Sequence, residues 1–101
     1  MTTKTKSNDL KVSAFDPADY LDDDSMVIAY LSEAFETGDE AFIIDAIGVA
    51  ARAKGMSEVA EKAGLARTSL YRGLSKNGKP QFGTVLAVMK ALGLKLDAKA
   101  A

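Results

Sequence analysis

Neither cysteine nor histidine occurs among the 101 residues. Without thiols there is no disulfide framework and no thiol catalysis; without imidazole, histidine acid–base chemistry and most zinc sites are excluded too. No secretory apolar region opens the chain, and no apolar run is long enough to cross a bilayer. The expectation is a soluble cytoplasmic protein with no membrane partner and no cofactor. Positive charge is missing from a long stretch as well, since no Lys or Arg lies between Lys11 and Arg52.

Apolar residues make up 48% of the chain, enough for one core and one ordinary domain. The net charge of −1 conceals a division. Residues 1–51 carry three Lys against eleven acidic residues, a charge of −8, while residues 52–101 carry ten Lys or Arg against three acidic residues, a charge of +7. Such asymmetry implies two surfaces made for two partners, one of them a nucleic acid.

Along the chain, residues 1–14 form a polar segment without periodicity, expected to be a poorly ordered tail. At FDPADYLDDD the character changes. Asp16 suits an N-cap and Pro17 a first helical position, which predicts a short helical turn, and Asp22, Asp23 and Asp24 offer caps for the next helix. That helix is expected from Ser25 to Glu36, with an apolar stripe of Val27, Ile28, Leu31, Ala34 and Phe35 and with Gly38 ending it. Met26 and Tyr30 lie off the stripe. Asp39 can cap a longer helix through Lys54 with Phe42, Ile43, Ala46, Ile47 and Ala50 facing inward; Arg52 and Lys54 complement its C-terminal end and Gly55 terminates it. After a basic loop with Asn77, Gly78 and Pro80, a last helix is marked by Phe82, Val85, Leu86, Met89 and Leu92 and closed by Gly93. Leu94 to Leu96 reads as a short extended tail, and 97–101 as frayed. No strand is expected, and the fold class is all-α.

Between these elements lies GMSEVAEKAGLARTSLYRGL, residues 55–74. Ser57 is a candidate N-cap; Val59, Ala60 and Ala63 form an apolar stripe, and Gly64 is placed to end the helix. From Arg67 to Leu74 only Leu70, Gly73 and Leu74 fall inward, leaving Arg67, Thr68, Ser69, Tyr71 and Arg72 outward. Two short helices joined by a tight Gly-containing turn are the helix-turn-helix arrangement, whose second helix lies in the DNA major groove. On that reading Arg67 pairs with a guanine, Thr68 contacts a base or a thymine methyl, and Arg72 reads a base or clamps phosphate; Ser57, Ser69, Tyr71, Lys76 and Lys79 hold the DNA backbone. One such helix reads few base pairs, so a homodimer on a palindromic operator is expected, with recognition helices about 34 Å apart. Phe82, the last helix and the LKL tail are one candidate surface for it, Tyr30 and Met26 another. An enzyme is not expected: three consecutive aspartates do not converge on one point of a helix, and no nucleophile, general base or phosphate-cradling loop accompanies them.

These residues carry a resemblance. The segment from Gly55 to Gly93 resembles the lambda-repressor-like helix-turn-helix domain. FDPADYLDD, AYLSEAFETGD, ARAKGMSEVAEKAGL, LYRGLSKNGKPQF and VMKALGLKL together are similar to the addiction-module antidote family, which includes HigA-like antitoxins. The resemblance implies an all-α, lambda-repressor-like bundle with an extra N-terminal helix, in which residues 39–96 bind operator DNA and residues 15–38 meet a toxin. It further implies an autorepressor that neutralises a RelE/ParE-like toxin; a stand-alone helix-turn-helix repressor is the alternative. Toxins of that type are basic, so the acidic half suits them, with Phe15, Asp16, Tyr20, Leu21 and Tyr30 as the contact residues. Two positions depart from the wider pattern: Ala66 replaces the usual Ser or Thr cap, and Glu58 stands where a Gln is common and is expected to repel phosphate.

Overall fold

The computed structural model describes residues 15–75 and 77–101, so the expectation of a poorly ordered tail over 1–14 lies outside the described residues. A 3-10 turn (Pro17–Tyr20) precedes five α-helices: α1 (Asp24–Thr37), α2 (Glu40–Lys54), α3 (Met56–Ala63), α4 (Arg67–Gly73) and α5 (Phe82–Ala91). Among the described residues there is no strand, and the fold is all-α. No helix among them is long and apolar enough to cross a membrane.

Local chemistry accounts for where the first elements begin. Asp16 accepts from the Ala18 amide at 3.1 Å with Pro17 at the first position of the turn. Asp23 starts α1 by accepting from the Met26 amide at 3.0 Å and the Ser25 hydroxyl at 2.8 Å, and Asp39 starts α2 by accepting from the Phe42 amide at 3.2 Å. Each carboxylate satisfies an amide that has no partner within the helix and sits at the positive end of its dipole.

The core is built around α2. Residues Ala46 to Ala51 are all buried, a run that only a helix covered on several sides can show. The 3-10 turn, α1 and α3 all pack on it, while α3 also receives α4 and α5. Leu31 and Ala34 of α1, Met56, Val59 and Ala60 of α3, Leu70 and Leu74 at α4, and Val88, Met89, Ala91 and Leu92 at α5 complete one cluster with Ile47. At Gly48 any Cβ would run into the Leu74 carbonyl, so the absent side chain is what lets α2 approach the end of α4.

Several sequence expectations need correction. Phe42 is exposed, whereas Ile44 and Val49 are buried. A single inward stripe presumes one covered face; α2 is covered around its C-terminal half, whereas Glu40, Ala41 and Phe42 of its first turn are exposed. Ile28 and Phe35 were expected inside α1 but remain largely open, because α1 seats on α2 through Leu31 and Ala34. On α5, Phe82 and Leu86 are exposed and Val88 takes the fully buried position. Ser57 is not a cap: α3 begins at Met56, two residues earlier than a cap at Ser57 requires, Gly55 is its N-cap at φ 118°, and no side chain caps it. Gly55 joins α2 to α3 without a spacer, and its carbonyl accepts from Val59 at 3.0 Å. Of the off-stripe pair, Met26 is exposed and Tyr30 packs against the core.

Candidate nucleic-acid interface

The outward row of α4 is produced by how α3 ends. Gly64 takes a left-handed φ of 71° that an L side chain would resist. Its amide donates to the Glu61 carbonyl at 3.2 Å, and the Leu65 amide donates to the Ala60 carbonyl at 2.9 Å, which is the Schellman closure. Two residues later α4 starts. Leu70 and Leu74 anchor it, and Arg67, Thr68, Ser69, Tyr71 and Arg72 are all exposed, as the spacing predicts. The Arg67 guanidinium lies 5.5 Å from the Tyr71 ring centroid, a cation–π contact between residues one turn apart. That contact holds the cation over an aromatic face on the outer side of the helix.

At its start α4 has no side-chain cap, as Ala66 leads one to expect. Beyond its end the Ser75 hydroxyl donates to the Arg72 carbonyl at 3.0 Å, and the Gly78 amide donates to the Ser75 carbonyl at 2.8 Å, folding back the loop that carries the exposed Lys79. Lys76 lies outside the described residues. Ser57 is exposed in the first turn of α3. Beside it, Glu58 pairs with Lys62 at 3.0 Å, and that hydrogen bond holds the Glu58 carboxyl below the usual range. The pair has the four-residue Glu-to-Lys spacing of a helix-surface ion pair, and it leaves Glu58 ionised beside Ser57.

At the other end of the chain, Phe15 and Tyr20 stack with ring centroids 5.2 Å apart while remaining 62% and 59% exposed. Asp16 is not a free acid. Arg52 donates to both its oxygens, Nε to Oδ2 at 3.0 Å and Nη2 to Oδ1 at 2.9 Å, which lowers the Asp16 pKa and raises that of Arg52. Leu21 turns inward to a depression shared with Val27, Ala50 and Leu92. Tyr30 is half-buried; burial first, and the Asp45 charge next, push its phenol up. The turn thus groups Phe15, Asp16 and Tyr20, and leaves only the two aromatics well exposed. Arg52 stands in the last turn of α2, where it complements the helix end, and its side chain also fixes the turn. Among the described residues no three carboxylates come together to hold a metal ion.

A family model for a probable addiction module antidote protein matches residues 11–100, nearly the whole chain. The chain belongs to that antidote family. A Haemophilus influenzae protein described only as uncharacterized is 41% identical over 83 residues, which is 82% of this chain and 86% of that protein. No solved structure matches. Membership of the antidote family implies a toxin partner and suggests a regulatory protein. This antidote therefore carries two exposed sets to account for: a cationic, hydroxyl-bearing row on α4 and an aromatic pair beside the 3-10 turn.

Proposed function

We propose that this chain is the antitoxin of a type II toxin–antitoxin module: an autorepressor that binds operator DNA as a homodimer through a lambda-repressor-like helix-turn-helix, α3 and α4, and neutralises a RelE/ParE-like toxin. Antidote family membership supports the toxin half of this reading. The observation that carries the DNA half is α4 itself. Leu70 and Leu74 are buried, every polar residue from Arg67 to Arg72 is exposed, and Arg67 is already ordered over Tyr71. A polar helix face with two cations and three hydroxyls, anchored by leucines and preceded by a tight left-handed turn, suits the major groove. In this reading Arg67 and Thr68 meet base edges, Arg72 meets a base or phosphate, and Ser57, Ser69, Tyr71, Lys76 and Lys79 hold the backbone.

The deciding experiment measures affinity for the chain's own promoter DNA at fixed salt. Replacing Arg67→Ala and Arg72→Ala together should weaken binding by about thirty-fold or more while leaving helical content unchanged, since each good base contact contributes roughly 1–3 kcal/mol and about 1.4 kcal/mol is tenfold. Unchanged affinity in the double variant would sink the assignment.

A further inference from the structure

The groove between α1 and the C-terminal tail has no role in the reading above. It measures about 500 Å³ and is floored by Ile28, Leu31, Phe35, Met89, Leu94 and Leu96. Ile28, Phe35 and Leu96 keep 47%, 40% and 38% of their surface open there, more apolar area than α1 needs to leave uncovered. The chain enters this groove through Gly93 at φ 79°, with the Leu94 amide donating to the Met89 carbonyl at 2.9 Å. From Lys95 onward it is neither helix nor turn, and among the described residues no backbone-to-backbone hydrogen bond engages it. The Ala98 amide donates to the Asp97 carboxylate at 2.9 Å, and an irregular segment whose other amides and carbonyls have no backbone partner, beside an apolar floor, is an open pairing edge.

We infer that the occupant is a second copy of this chain, with the two tails paired antiparallel about a two-fold axis at Leu96. Charge selects the occupant, and charge together with the apolar Leu96 selects the register. A two-fold interface sets a segment against itself, so it must be self-complementary. Centred on Leu96, antiparallel pairing puts Lys95 opposite Asp97 of the other copy, twice over, with the two Leu96 side chains facing across the apolar floor. Centred on Lys95 or on Asp97, it opposes like charges at the axis; directly opposed like charges destabilise a sheet pair and opposite charges stabilise it. Centring on Ala98 also opposes unlike charges, Asp97 against Lys99, but it sets Leu96 against Ala100 and leaves Lys95 opposite the chain end, so the Leu96 register alone combines the charge pairs with an apolar pair over the floor.

This surface rests on the homodimer reading, and the test separates the two. Dissociation constants are measured by sedimentation for the full chain and for Lys95→Glu, Asp97→Lys and the double swap carrying both. Either single change sets like charges opposite at two symmetric places and should weaken the dimer about ten-fold. An equimolar mixture of the two single variants should recover parent-like association as heterodimers, and the double swap should recover it alone. Matching helical circular dichroism guards against misfolding, and the two recoveries exclude it directly. A monomeric parent chain would overturn the homodimer reading and this surface together. A dimeric parent with unaffected single variants, or a mixture no tighter than its components, overturns the tail pairing and leaves the homodimer standing. Lost toxin binding with an intact dimer would likewise overturn it, assigning the groove to the toxin.

Discussion

The Asp16 carboxylate accepts from the Ala18 amide and also takes two N–H donors from Arg52, so one side chain both starts the 3-10 turn and ties it to α2. Its pKa is lowered mainly by the Arg52 hydrogen bond, against an ordinary value of 3.8. A carboxyl whose folded pKa is depressed contributes stability that is fully present above its unfolded value and disappears as pH falls through the folded one. Asp16→Asn keeps an acceptor for the cap and removes the charge. With Arg52 and Asp16 side chains 30% and 36% exposed, solvent screening limits the loss at pH 7 to about 1 kcal/mol. Denaturant unfolding should show that gap undiminished down to about pH 5 and closing below roughly pH 4, as the parent's own carboxyl protonates. A gap that stays constant between about pH 5 and pH 2 would show that the charge is not its source.

Helix boundaries follow chemistry that lies within four residues of sequence, which is why Asp16, Asp39 and Gly64 announced the elements they start or end, and why Asp23 stood among three candidate caps for α1. The outward row of α4 was legible for the same reason: Leu70 and Leu74 are spaced to bury one side of so short a helix. What faces what across the molecule is set by the neighbours. The exposure of Phe42, Ile28 and Phe82 depends on how far α1, α2 and α5 overlap, and nothing local to those residues records that. The Asp16–Arg52 pair spans 36 positions and was invisible for the same reason. One boundary remains open to improvement. Ala66 begins α4 with extended backbone at φ −72° and ψ 137° and offers no side-chain acceptor. Those angles suit a capping residue, so Ala66→Ser should stabilise the protein by about 1 kcal/mol, read as a higher denaturant midpoint at constant slope. An unchanged or lower midpoint would mean that the free amides of α4 already find adequate partners in water.

Across the whole chain the charge division gives the two proposed partners opposite preferences. A first half at −8 steers a basic toxin toward itself and is disfavoured against DNA phosphate, whereas a second half at +7 does the reverse. Steering sets rate and orientation; affinity needs large groups that lose water on contact. Among the proposed toxin contacts, Leu21 and Tyr30 are already partly covered by the chain itself and Asp16 is held by Arg52, which leaves Phe15 and Tyr20 to supply most of that area. Their mutual stacking orders both rings before any partner arrives, reducing the entropy lost on binding. Removing residues 1–24 should abolish rescue from the toxin in a co-expression growth assay and retain promoter binding, because Leu31 and Ala34 of α1 and the clusters of α2 to α5 keep their core. The truncation also removes the Asp23 cap of α1, at a cost of about 1 kcal/mol, so a full-length Phe15→Ala, Tyr20→Ala variant isolates the aromatic contribution. Both rings are exposed, and folding should survive their loss. The double variant should then fail to rescue growth at normal expression while still shifting promoter DNA. Full neutralisation by either protein would place the toxin's seat elsewhere on the antidote.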